Sequence, residues 1–122
     1  MKLTIRMPEA LIKYYRRELS EASLSLEENE PSKCWSHLER AHIIAQRYPL
    51  EHTVVHFKML QFAIRMKDKR EIAGQVPRLL VGGIKSLVGK VPIGNTGGAN
   101  VPALKSMEIP DDLQEIIQKF NS

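Results

Sequence analysis

The sequence has little cysteine, few aromatic residues and no long hydrophobic run, and each shortage excludes a class of structure. Cys34 is the single cysteine among 122 residues, so an internal disulfide is excluded and a reducing cytoplasm suits the chain. Aromatic residues make up only 6%, so aliphatic side chains must dominate the core. No apolar run reaches the roughly 18 residues that a membrane-spanning helix needs. Residues 1–7 also lack the pattern of a signal peptide, and we expect a cytoplasmic protein without a membrane segment.

The charge balance is mildly basic. The formal net charge is +4 and the pI is about 9.3, while hydrophobic residues make up 43%, as in ordinary globular proteins. The densest basic patch spans residues 65–70, but Asp68 interrupts it and no aromatic residue lies within it. A weak nucleic-acid surface is one interpretation. The pattern favours a solvated junction between two helices, because basic residues commonly end a helix near its negative pole.

Periodicity, breakers and caps predict an all-α fold. Helices are expected over residues 8–27, 32–48, 51–67, 69–88 and 111–120, with a Gly/Pro-rich irregular loop over 89–110. The short connections predict a four-helix bundle or stacked antiparallel helical hairpins, followed by the irregular loop and the short C-terminal helix. Trp35, Leu38 and Ala41 lie at tetratricopeptide-like spacing, although no convincing second copy is present. A single helical domain spanning residues 1–122 is therefore predicted.

Individual residues suggest where these helices begin and end. Ser32 is expected to cap the second helix, and Pro49 to stop it. Asp68, with Glu71 three residues later, resembles a capping box for the fourth helix. Pro77 lies inside that helix, and a kink or a break is expected there.

Four histidines fall between residues 37 and 56, and their positions on the helices separate them. His52 and His56 are four residues apart and share one helix face. His42 lies on the apolar stripe of the second helix, and the turn at Pro49 places it roughly level with His56. His37 is about 140° from His42 around the helix and is expected to be exposed.

The inward histidines suggest a metal site. His42, His52 and His56 could supply three nitrogens, with Glu39 as an oxygen ligand or as an acceptor behind a ligand. Zinc, copper, nickel and iron all accept such ligands. Thr53 stands where a zinc protease has its glutamate, and only Glu39 and His42 form a Glu-x-x-His pair, which disfavours a di-iron centre. No catalytic motif is recognised, and a non-enzymatic role is slightly favoured.

A metal-free interpretation stays open beside this one. Nearby polar side chains could satisfy three buried histidines by hydrogen bonds alone: Glu39, Gln46, Tyr48 and Gln75. The chain would then be a helical protein-interaction module, with a protein partner or a second copy bound to it. Cys34 and His37 form a competing pair for a soft metal, although a lone cysteine is more often a packing residue.

The segment Gly94–Gly98 is the other unusual feature. Its amides could cradle an anion, and Thr96 and Asn100 could lend oxygens to a nearby site. No Lys-Ser or Lys-Thr follows the glycines and no strand precedes them, so neither a Walker loop nor a dinucleotide fingerprint is present. A series of tight turns is the favoured interpretation.

Several motifs together resemble a known family. They are Trp35 with Leu-Glu-Arg-Ala-His at residues 38–42, His52-x-x-x-His56, Gly74-Gln75, and Gly-Asn-Thr-Gly-Gly at residues 94–98. Over residues 32–117 the chain is similar to a family of short bacterial proteins that is catalogued only as a domain of unknown function. Members are often encoded near heavy-metal resistance or cation-efflux genes. The resemblance therefore implies a link to metals by association, and it implies no activity.

Overall fold

The computed structural model describes residues 6–87, 98 and 107–120, and over these residues the chain is all-α. No strand is present in the described residues. Most of the predicted loop over 89–110, including residues 94–97 of the glycine segment, lies outside them. The described helices are α1 (Glu9–Glu27), α2 (Pro31–Ala45), α3 (Pro49–Arg65), α4 (Lys69–Leu87) and α5 (Asp111–Phe120).

The helices form two hairpins, stacked side by side. Helix α1 packs on α2, α3 packs on α4, and the two hairpins meet where α2 packs on α3. Helix α5 contacts α1 and α2. Over the described residues α1 does not approach α4, so the hairpins are stacked rather than closed into a four-helix bundle. Among these residues no helix is both long enough and apolar enough to cross a membrane.

The turns of the two hairpins have the same geometry. Asn29 and Lys67, thirty-eight residues apart, both adopt a left-handed backbone with φ of 61° and 56°. A backbone hydrogen bond between residues five positions apart closes each turn. It runs from Glu30 N–H to Ser25 O (2.8 Å) in the first and from Asp68 N–H to Ala63 O (2.9 Å) in the second. This pattern is the Schellman ending of a helix. The hairpin is thus structurally repeated, although few equivalent positions of the two copies carry the same residue type.

The predicted starts of α2 and α3 were wrong, for one physical reason. Pro31 and Pro49 each occupy the first turn of a helix, and α2 ends at Ala45. Ser32 consequently lies inside α2 and does not cap it. Proline fits a helix start because its fixed φ is helical and its missing N–H would have no partner there.

Helix α4 begins as predicted and continues past its proline. The Asp68 carboxylate accepts a hydrogen bond from the Glu71 N–H (3.0 Å), which confirms the cap. Pro77 lies within α4 without ending it.

The core centres on α2 and is largely aliphatic, as the low aromatic content predicted. Six consecutive residues of α2 and the following turn, Ala41 to Gln46, are buried. On α1 the buried face includes Glu18 and Ser25, whereas Leu19 and Leu26 are only partly buried. An acidic side chain in a buried helix face needs partners, and Glu18 has them.

Candidate metal centre

Three imidazole rings meet at one point between α2 and α3. The Nε2 atoms of His42 and His52 are 2.9 Å apart, those of His42 and His56 are 3.0 Å apart, and those of His52 and His56 are 3.1 Å apart. We call this group the imidazole triad. The sequence predicted the convergence of these three side chains, and the structure brings them together.

The triad is buried and its rings meet edge to edge. The side chains of His42, His52 and His56 are 2%, 8% and 2% exposed. Their ring centroids lie 4.6–4.7 Å apart, with angles of 60–78° between the ring planes. The rings therefore radiate from a common point, and each presents its Nε2 to that point.

The short connection between α2 and α3 accounts for this arrangement. Helix α2 ends three residues after His42, and α3 begins three residues before His52. The Tyr48 N–H donates to the Ala45 carbonyl (2.9 Å), and the Tyr48 carbonyl accepts from the His52 N–H (2.8 Å). The turn is therefore closed by backbone bonds at both ends, which fixes the two helices in register. His56 follows His52 by about one turn on the same face.

The three Nε2 contacts cannot all be hydrogen bonds. Each Nε2 either carries a proton and donates, or carries a lone pair and accepts. Around a closed triangle of three such atoms, every assignment leaves at least one pair of the same kind, either two lone pairs or two N–H groups. A proton added to any ring changes which pair is alike but never removes it. If all three Nε2 atoms carry lone pairs and donate them to one cation, no contact is left with two like groups facing each other.

A hydrogen-bond relay sets the tautomer of one of these rings. The Gln75 amide N–H donates to the Glu71 carboxylate (2.7 Å), which turns the amide oxygen toward His56. That oxygen lies 2.6 Å from His56 Nδ1, and an amide oxygen only accepts, so Nδ1 carries the proton. In the neutral ring the lone pair is then on Nε2, inside the triad. Gln75 is fully buried, so the relay is held in place by packing.

The size of the triangle suits a metal ion. Metal–imidazole bonds are about 2.0–2.1 Å, and with these bonds the observed spacings correspond to angles of about 90–100° at the ion. Such angles lie between those of octahedral and tetrahedral sites, with the three nitrogens on one face of the ion. The spacing of the three nitrogens would therefore accept such an ion.

The remaining predicted residues have other positions. Over the described residues, the close group of metal-binding side chains contains the three histidines and no carboxylate, so the assisting role of Glu39 stays a prediction. Burial raises the pKa of the Cys34 thiol, although Arg65 partly opposes this. His37 was predicted to be exposed, and this was wrong: its Nδ1 lies 2.8 Å from the Glu18 carboxylate.

His37 belongs to a second polar cluster, the charge network, formed by Glu18, His37, Arg40 and Asp112. The Arg40 guanidinium donates to Glu18 (3.0 Å) and to Asp112 (3.2 Å), and so links α1, α2 and α5. The bond to Asp112 raises the pKa of Arg40 and lowers that of Asp112. The sequence analysis missed this network. Its signal was an acidic residue, Glu18, on the buried face of α1.

A comparison with protein families covers almost the whole chain. Residues 9–117 match the family model described as "Protein of unknown function (DUF3703)". The chain belongs to this family. The match includes the imidazole triad and the charge network, and it confirms the resemblance stated from the motifs.

No curated protein matches the chain, and no solved structure matches it either. The family description carries no activity. A functional assignment therefore depends on the chemistry of the imidazole triad.

Proposed function

We propose that this protein binds one transition-metal ion through the Nε2 atoms of His42, His52 and His56, with Glu39 assisting. Its role would be metal handling or sensing in the cytoplasm, where its one buried cysteine remains a thiol. The observation that carries the proposal is the closed triangle of nitrogens 2.9–3.1 Å apart. Protons alone leave one contact of that triangle unfavourable, whereas a cation satisfies all three.

The donor set narrows the choice of ion. Three neutral imidazoles suit zinc, copper, nickel and iron, whereas calcium and magnesium prefer oxygen ligands. In the described part of the chain no thiolate joins the triad, so the site lacks the soft ligands that select copper(I). We expect divalent zinc, copper, nickel and iron to compete for the site.

The relay behind His56 supports the same proposal. A ligating histidine usually donates its other ring N–H to an oxygen, which orients the ring and makes it a better ligand. Here the Gln75 amide oxygen accepts that proton, and the Glu71 carboxylate holds the amide. The arrangement is the one expected behind a metal ligand. It would also serve a metal-free core, so the decisive measurement is metal content.

The test uses the wild-type protein and variants of two classes of histidine. Apo-protein is reconstituted separately with zinc, copper, nickel and ferrous iron, desalted, and analysed by elemental mass spectrometry. We expect about one ion per chain in the wild type and in the control His37→Ala, whose histidine bonds to Glu18. Metal is expected to be negligible in His42→Ala and in the double variant His42→Ala/His56→Ala.

Circular dichroism establishes whether each variant is folded, and His52→Gln provides a more conservative change at the triad. Cobalt(II) supplies an independent readout, because its visible absorption reports direct coordination. Equal metal content in the wild type and in folded triad variants would refute the proposal. Negligible metal in the wild type with all four ions would do the same.

A metal-free interaction module is the second candidate function, and one surface feature favours it. Leu50, Phe57 and Ile64 lie seven residues apart on one face of α3 and are 70%, 49% and 57% exposed. A two-fold axis through Phe57 would bring each Leu50 against the other copy's Ile64, so the row is complementary to itself. Sedimentation of wild type and Phe57→Ser tests this: a dimer that only the wild type forms supports it, and a monomeric wild type refutes it.

A further inference from the structure

A groove at the other end of α2 has a different character from the triad. It lies between α1 and α3, with α2 as its floor, and has a volume of about 290 Å³. This value is close to the lower end of the roughly 300–1,000 Å³ that small-molecule sites span. The floor is formed by Cys34, which precedes His42 by about 12 Å along the helix axis, and by Leu38. The groove is therefore separate from the proposed metal site.

The walls of the groove are mainly apolar, although Ser23 and Gln61 also line it. Leu19 and Leu26 of α1 face Phe62 of α3 across the buried side chains of Cys34 and Leu38. The Cys34 thiol is only 3% exposed, and its raised pKa keeps it neutral, so it adds to the apolar floor. A ligand for this groove needs an apolar body.

One rim of the groove carries positive charge. Lys58 and Arg65 lie seven residues apart on α3, about two turns along the same face, and both line the groove. Within the described residues neither forms an ion pair, and no Asp or Glu lines the groove. Arg65 lines the groove beside Cys34, and its charge partly opposes the rise in the Cys34 pKa. A ligand therefore needs one anionic end as well.

We propose that this groove binds a small anionic amphiphile, namely a monocarboxylate with a short alkyl chain. The chain lies along Leu19, Leu38 and Phe62, and the carboxylate pairs with Arg65 and Lys58. Arg65 is the stronger partner, because a guanidinium can donate two parallel hydrogen bonds to a carboxylate. This proposal does not depend on metal binding.

The single tryptophan reports on the groove. The Trp35 ring lies 5.4 Å, centroid to centroid, from Phe62, which forms one wall. A ligand that contacts Phe62 will change the surroundings of Trp35 and hence its fluorescence. Titration calorimetry on the same samples measures binding without this reporter.

The test compares three probes of equal chain length: octanoate, octanol and octylamine. We expect saturable binding of octanoate to the full chain, at least about fivefold weaker binding of octanol, and none of octylamine. Each methylene removed from the carboxylate probe should weaken binding by roughly fourfold, since each one leaves apolar surface in water. Arg65→Gln should weaken octanoate binding about fivefold, and Lys58→Gln should weaken it somewhat less. The control Arg17→Gln, on the opposite face of α1, should leave it unchanged.

Three outcomes would overturn the proposal. Equal binding of octanoate and octanol with no effect of Arg65→Gln would indicate an adventitious additive only. No saturable octanoate binding would exclude the ligand class. Concentration-dependent dimerisation that Arg65→Gln abolishes, without octanoate binding, would make the occupant a second copy. Metal content is measured in parallel on Arg65→Gln and is expected to be unchanged, so failure here is distinct from failure of the metal proposal.

Discussion

The two hairpins have an imidazole–oxygen hydrogen bond at equivalent positions, but the groups around the two bonds differ. In the α1–α2 hairpin, His37 Nδ1 lies 2.8 Å from a Glu18 oxygen. In the α3–α4 hairpin, His56 Nδ1 lies 2.6 Å from the Gln75 oxygen. Glu18 and His56 are equivalent under the thirty-eight-residue offset of the two turns, and so are His37 and Gln75.

The difference lies in the groups that meet beyond this bond. In the first hairpin a carboxylate accepts from His37 and Arg40, and Arg40 also pairs with Asp112, so opposite charges meet and need no further partner. In the second hairpin an imidazole replaces the carboxylate, and the bond to Gln75 turns its Nε2 lone pair toward two more imidazoles. The same hairpin geometry thus carries an ion-pair network in one copy, and in the other it carries His52 and His56, which form the imidazole triad with His42 of α2.

The largest expected effect separates the imidazole triad from the charge network by metal addition. If the triad binds a metal, a free concentration one thousand times its dissociation constant stabilises the wild type by about 4 kcal/mol. His37→Ala should retain the whole increment, because His37 belongs to the charge network. His42→Ala should lose it. Denaturant unfolding with and without metal measures this, and an equal increment in both variants would place the metal elsewhere.

The second effect concerns the relay behind the triad. Gln75→Leu removes the acceptor of the His56 Nδ1 proton while leaving a buried side chain of similar size. We expect metal affinity to fall by about 10–100-fold, which is typical when the partner of a ligating histidine is lost. Competition with a coloured chelator measures the affinity. The matched control is Gln114→Leu on the exposed surface of α5, and an equal loss in that variant would contradict the role of the relay.

The third effect concerns the charge network, and metal affinity should not change. Arg40→Met keeps much of the side chain's apolar length but removes both ion pairs of the guanidinium. The Glu18 carboxylate, whose side chain is 10% exposed, then keeps His37 as its only partner in the network. We expect a loss of about 1–2 kcal/mol in unfolding free energy with metal affinity unchanged. A fall in metal affinity would show that the two clusters are coupled and would end the contrast between them.

Local patterns in the sequence predicted most of the fold. The five helices lie within three residues of their predicted bounds, because apolar periodicity and the Asp68 cap act over a single turn. Pro31 and Pro49 caused the errors, because a proline that follows one helix also fits the first turn of the next. The choice between a closed bundle and stacked hairpins depends on which helices touch, and periodicity does not encode that.

The candidate site was predictable where two local facts combined. His52 and His56 share a face at a spacing of four residues, and a short turn brings His42 to their level. Gln75 was named only as one of several polar side chains near the histidines, because its partner is set by the register of α4 on α3. The prediction that His37 is exposed was wrong for a similar reason. A helical wheel gives the face of a residue, but not the Glu18 side chain that covers it.

The smallest expected effect tests whether the outer end of the charge network behaves as an ordinary surface pair. Hydrogen bonding to Arg40 lowers the pKa of Asp112 from its usual 3.8 in the folded chain. The ionised form is therefore favoured by folding, so the pair stabilises the protein above the unfolded pKa and loses its effect as the pH falls through the folded value. Asp112 is 59% exposed, which limits the contribution. We expect Asp112→Asn to cost about 0.2–0.5 kcal/mol at neutral pH. The difference from the wild type should vanish in acid unfolding experiments below the folded pKa. If it persists there, α5 is held by packing at this position rather than by charge, and the network reduces to Glu18, His37 and Arg40.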